Sequence, residues 1–120
     1  MTTADADAPL LDVPYLDDMR EWLGDEALAG LLATAPEQLE SELAALAGHW
    51  RAGDLAAVRE SGHRIKGAAG SVACRRLSAL GHRVQLLDAF DEPLLADVTA
   101  AVAAATAALA EYRAGLVVPA

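Results

Sequence analysis

With 120 residues, 54% of them hydrophobic, the chain is long enough to bury one core and too short for two ordinary domains. A net charge of −9 disfavours general nucleic-acid binding, which needs a basic surface. A single cysteine, Cys74, excludes an internal disulfide and a cysteine-built zinc site, and an aromatic content of 4% implies an aliphatic core of Leu, Val and Ala.

Residues 1–9 have the composition of a flexible acidic leader and lack a signal-peptide pattern. Residues 10–120 are expected to form a single helical domain. Asp12 is placed to cap a first helix, with Tyr15, Leu16, Met19, Trp22 and Leu23 on one face. Gly24-Asp25 ends that helix and starts the next, and Leu28, Leu31, Leu32 and Ala35 continue at helical spacing. Pro36 either begins a new helix or kinks a long one. Leu39, Leu43, Leu46 and Trp50 form a further stripe that stops near Gly53, and Asp54 caps the next helix. Leu55, Val58, Gly62, Ile65, Ala69 and Val72 line one side of that helix. Leu77, Leu80, Val84 and Leu87 mark another, Asp91-Glu92-Pro93 a break and restart, and Leu95 to Tyr112 the last. The weakly polar run from Val98 to Leu109 is too short and too alanine-rich to span a bilayer of about 30 Å, so no membrane partner and a cytoplasmic location are expected. Short loops between helices imply an all-α, up-and-down antiparallel four-helix bundle with one or two additional short N-terminal helices.

The stretch HRIKGAAG, His63 to Gly70, stands out because it places two glycines inside a helix. At about 100° per residue, His63 lies opposite Leu55, Val58, Ile65, Ala69 and Val72, with Lys66 and Arg59 on one flank and Gly67 and Gly70 close by. Each outward glycine costs roughly 1 kcal/mol relative to alanine. What the glycines offer in return is bare backbone beside an exposed imidazole, open to a bulky partner or a phosphoryl group. Lys66, three residues on, is a cation within reach of an anion formed on the ring. From Ser61 to Leu87 there are basic residues and no acidic one, a setting that tolerates a phosphorylated imidazole.

HRIKGAAG resembles the His-x-x-Lys-Gly signature of histidine-containing phosphotransfer (HPt) domains, which lies on a helix of a four-helix bundle. The similarity extends over roughly residues 10 to 113, including LLDVPYLDDMREWLGDEALAGLL, the Gly53-Asp54 turn, and the positions of Leu77 and Leu80. The resemblance implies a phosphorelay role. His63 would take a phosphoryl group from a receiver aspartate or a kinase and pass it on. Lys66 would stabilise its charge, and Gly67 would be the small residue beside the ring. The chain departs from the family pattern at Ala68, at Ser71-Val72-Ala73, at Gln85 in place of a glutamate, and at Gly81 in place of a cysteine.

Such chemistry needs a neutral imidazole nitrogen for in-line attack and an acceptor for the proton on the other. Positioning and positive charge carry most of the catalysis. No cofactor or metal of the chain's own is signalled; Mg²⁺ is expected on the partner receiver. The expected partners are receiver domains of response regulators, a hybrid sensor histidine kinase, or both, approaching a monomer across a docking rim that includes Arg59, Arg64 and Arg75. His49 is expected to serve a helix end and His82 to be a second surface histidine. Cys74, Trp22 and Trp50 are expected to pack. The competing reading is a docking module of the same fold that binds a receiver or kinase without phosphorylation. A general-base enzyme is disfavoured because no paired carboxylate or nucleophile accompanies His63.

Overall fold

The computed structural model describes residues 8–118, all of whose regular structure is helical. The five helices are α1 (Val13–Leu23), α2 (Asp25–Arg51), α3 (Leu55–Ser71), α4 (Arg75–Gln85) and α5 (Glu92–Ala114). Helices α2 to α5 form the bundle, each packed on its chain neighbour, and α5 closes the ring against α2. Helix α1 packs on α2 as the one additional N-terminal helix.

Local chemistry sets the boundaries. Asp12, Asp54 and Asp91 each accept a hydrogen bond from a backbone N–H three residues on, at 3.2, 3.1 and 3.1 Å, and so start α1, α3 and α5. Gly24 and Gly53 turn the chain at φ of +83° and +71°, a region in which a side chain is strained. At Pro36 the helix runs on, making α2 a single element of 27 residues. An interior proline costs about 3 kcal/mol. Burial of Leu28, Leu32, Ala35 and Leu39 on the same side of α2 outweighs that cost.

The core is aliphatic, as expected, with Leu16, Leu28, Leu46, Val58, Ile65, Leu77, Val84, Val98 and Leu109 fully enclosed and Trp50 as its aromatic member. Trp22 departs from the expectation of a packing residue: it is 67% exposed, as Leu23 is at 50%. Helix α1 packs mainly on α2, with one tie to α5 where the Tyr112 hydroxyl donates to Asp17 at 2.7 Å, so only the narrow stripe of Leu16 and Met19 is covered. Trp22 instead meets Tyr15 edge to face at 6.2 Å.

Helix α5 also corrects the sequence reading. Its 23 residues are long and apolar enough to cross a membrane by length and composition, beyond the run from Val98 to Leu109. Its apolar stripe of Leu94, Val98, Val102, Ala105 and Leu109 is buried in the bundle, while only 33% of its most apolar window is buried in all. Of the leader expected over residues 1–9, residues 1–7 lie outside the described residues. Ala8 and Pro9 are held to α4, their carbonyls accepting from the Arg76 Nε–H at 2.9 Å and backbone N–H at 3.1 Å.

Candidate functional site

Helices α3 and α4 approach closely because two glycines meet. A Cβ on Gly62 would lie 2.5 Å from the Gln85 nitrogen and 2.7 Å from the Gly81 oxygen. A Cβ on Gly81 would lie 2.8 Å from the Lys66 nitrogen and 2.9 Å from the Gly62 oxygen. Neither position has room for a methyl group. Gly81 is thus more than a departure from the family pattern; it lets α4 press against the backbone of residues 62 to 66. This contact sets residues 82 and 85 of α4 beside the His63 segment of α3.

His63 is exposed on α3, as its helical position predicted. It lines a shallow cleft of about 430 Å³ with Ala56, Arg59, Glu60 and Gln85. The side-chain oxygen of Gln85 is buried beneath the surface without a hydrogen-bond partner. An unpaired carbonyl oxygen costs about 1–3 kcal/mol when buried. The Arg59 Nε–H donates to the Gln85 backbone oxygen at 3.0 Å and ties the end of α4 to α3. Glu60 corrects the acid-free setting read from the sequence: it precedes the basic run by one residue, and the helix turns it into the same cleft as His63.

Lys66, one turn on and about 60° around α3 from His63, borders a different groove. It lines a groove of about 470 Å³ with Tyr15, Gly70, Arg75, Ser78 and His82, whereas His63 does not. Lys66 Nζ is 3.3 Å from His82 Nδ1, and no hydrogen bond joins Lys66 to His63. The Ser78 hydroxyl donates to the Lys66 backbone oxygen at 3.0 Å and fastens the same seam.

The remaining predicted residues are spread over this surface. A Cβ at Gly67 would meet nothing within 4 Å, whereas one at Gly70 would come 3.5 Å from the Ser78 hydroxyl, so Gly70 adjoins α4. Arg59 borders the His63 cleft, Arg75 borders the Lys66 groove at the start of α4, and Arg64 is exposed but lines neither. Among the described residues no group of three His, Cys, Asp or Glu side chains is placed to hold a metal. Cys74 is fully buried, and that burial pushes its thiol up to about 11, away from reactivity. Sequence reasoning missed the Gln85 oxygen and the Lys66–His82 contact. Both join α3 to α4, and their only local signal was the pair of glycines with no reason to be in helices.

The Hpt domain family model matches residues 26–115, so α1 lies outside the matched region. Over 79 residues, 66% of this chain and 10% of the relative, the chain is 37% identical to the aerobic respiration control sensor protein ArcB of Escherichia coli K12. The ArcB of Shigella flexneri matches with the same identity and coverage. The matched part thus spans about a tenth of these relatives. The crystal structure of histidine-containing phosphotransfer protein B (HptB) from Pseudomonas aeruginosa PAO1 superposes with a TM-score of 0.78 at 24% identity, covering 90% of this chain and 97% of that one, a likeness of fold. The histidine-containing phosphotransfer domain of ArcB from Escherichia coli superposes with a TM-score of 0.70 at 29% identity, covering 94% of this chain and 98% of that one.

Proposed function

The chain belongs to the Hpt domain family, and from that membership we propose that it is a phosphocarrier of a multistep phosphorelay with His63 as its phosphorylated residue. The observation that carries the proposal is the exposed imidazole of His63 at the lip of an open cleft. One ring nitrogen attacks phosphorus in line. The P–N bond forms as the bond from phosphorus to the donor oxygen breaks, and a receiver aspartate leaves as carboxylate. The other ring nitrogen keeps its proton and donates it in a hydrogen bond to water or a partner group. Lys66 supplies positive charge to the phosphoryl oxygens once it swings from α4.

The partners are receiver domains, a hybrid sensor kinase, or both, and the receiver brings Mg²⁺. The bundle acts as a cytoplasmic monomer and contributes no nucleotide chemistry. Gly67 and Gly70 keep the approach open, and Arg59, Arg64 and Arg75 line the contact. His63→Gln is expected to abolish labelling from a phosphorylated receiver while leaving the circular dichroism of the bundle unchanged. Wild-type label should be acid-labile and base-stable. A His63→Gln protein that still takes label overturns the assignment.

One observation favours a second reading, a docking module without chemistry: Lys66 is bonded to His82 and not to His63. Binding of a receiver with no phosphoryl acceptance by the wild type would select it.

A further inference from the structure

We propose that His82 is a positioning residue that holds the Lys66 ammonium on α4 while His63 is unmodified and releases it when a phosphoryl dianion forms there. The inference rests on the reading of His63 as phosphoacceptor. Lys66 is the chain's only lysine. Its Nζ donates to His82 Nδ1 at 3.3 Å, at the edge of a groove that excludes His63.

The placement is built into the seam. Gly81 brings α4 onto the Lys66 backbone nitrogen, and the next residue, His82, comes level with the Lys66 side chain. The groups that face this pair are Asp12 and Tyr15 from the α1 end and Arg75 and Ser78 from α4, with Arg83 next along α4. Asp12 accepts the α1 cap bond through Oδ1, and no ion pair or hydrogen bond joins it to Lys66. The side-chain acceptor of the ammonium is the His82 imidazole.

The contact has two chemical consequences. A lone pair on Nδ1 that accepts from Lys66 requires the proton on Nε2, so neither nitrogen of His82 is a free nucleophile. The two exposed histidines are thereby distinguished: His63 faces a cleft with its ring unengaged, and His82 is occupied. Second, the contact stabilises the unphosphorylated chain relative to the phosphorylated one. A dianion on His63 offers the ammonium a stronger, charge-assisted partner one helical turn away, so Lys66 exchanges partners. Removing His82 frees the lysine and favours the phosphorylated form.

The test uses the whole chain labelled with ¹⁵N-lysine, which gives one side-chain ammonium signal. Slowed proton exchange at that signal is expected in the wild type and in His82→Gln, whose amide oxygen can accept in place of Nδ1, and is lost in His82→Ala. In parallel, each protein is incubated with a fixed, sub-saturating concentration of phosphoramidate, which needs no protein partner. Occupancy of His63 at steady state is expected to rise about three-fold in His82→Ala, the size of one exposed charge-assisted hydrogen bond, to stay near wild type in His82→Gln, and to show no His82 effect in a Lys66→Met background. An ammonium signal indifferent to His82→Ala overturns the proposal, as does occupancy that is unchanged or lower. Failure of transfer from receivers would count against the relay reading alone, because the ammonium signal is measured without any phosphoryl donor.

Discussion

The α2–α5 seam and the α3–α4 seam lie in the same bundle but use different spacers. Along the first, Leu28, Leu39, Leu46, Val98, Val102 and Leu109 separate the helix axes with buried side chains. At its margins are long-range polar ties, Trp50 Nε1 to Glu92 at 2.9 Å and Arg113 Nε to the Ala29 oxygen at 3.2 Å. Along the second, Gly62 and Gly81 bring backbone against backbone. A side-chain spacer buries apolar area and carries stability. A backbone contact fixes the neighbouring polar groups closely, and those groups are Gln85, His82 and Lys66. The α3–α4 seam therefore adds a fixed site geometry to the side-chain packing that both seams share.

Truncation at the first seam gives the largest expected effect. Leu46→Ala leaves a cavity in the core and is expected to lower the unfolding free energy in urea by about 3 kcal/mol. Phosphoryl acceptance per folded molecule should be unchanged. A Leu46→Ala protein that folds fully yet loses acceptance would show that the two seams are not separable.

The same substitution at two glycines of α3 sharpens the contrast. Gly62→Ala forces a methyl onto the α4 backbone and is expected to cost about 2 kcal/mol and to disturb the Lys66–His82 contact. Gly67→Ala meets open space on an exposed helix and is expected to stabilise by about 0.5–1 kcal/mol. Equal effects in paired denaturation curves would remove the distinction between seam and surface glycine.

The smallest effect is electrostatic and belongs to neither seam. Asp25 accepts from Arg20 at 2.7 Å and from the Val117 N–H at 2.8 Å, and these bonds, the Arg20 bond foremost, lower its carboxyl below the ordinary 3.8. A depressed folded-state value means that its contribution to stability is present above that ordinary value and drains away as pH falls below it. The acid limb of a melting-temperature profile should therefore be shallower in Asp25→Asn than in the wild type. Because the pair is only half-buried and screened by solvent, the difference should be slight. Coincident acid limbs would leave the tie at the start of α2 without energetic weight.

Helix identity, most boundaries and the exposure of His63 were legible in the amino-acid sequence because each depends on neighbours within one turn. A cap aspartate meets a backbone N–H three residues on, and a helical stripe repeats by geometry alone. Pro36 was not decidable locally: its cost is weighed against burial supplied by other helices. Trp22 was misread because a periodic face says nothing of how many helices will cover it. Gly62 could be placed on the apolar side of α3, but not recognised as a contact, since the group it must avoid is on α4. For the same reason the partner of Lys66 and the idle oxygen of Gln85 were decided only by tertiary structure. They sit 16 and 22 residues along the chain from Lys66 and His63, and the approach of two backbones at Gly62 and Gly81 brings them there.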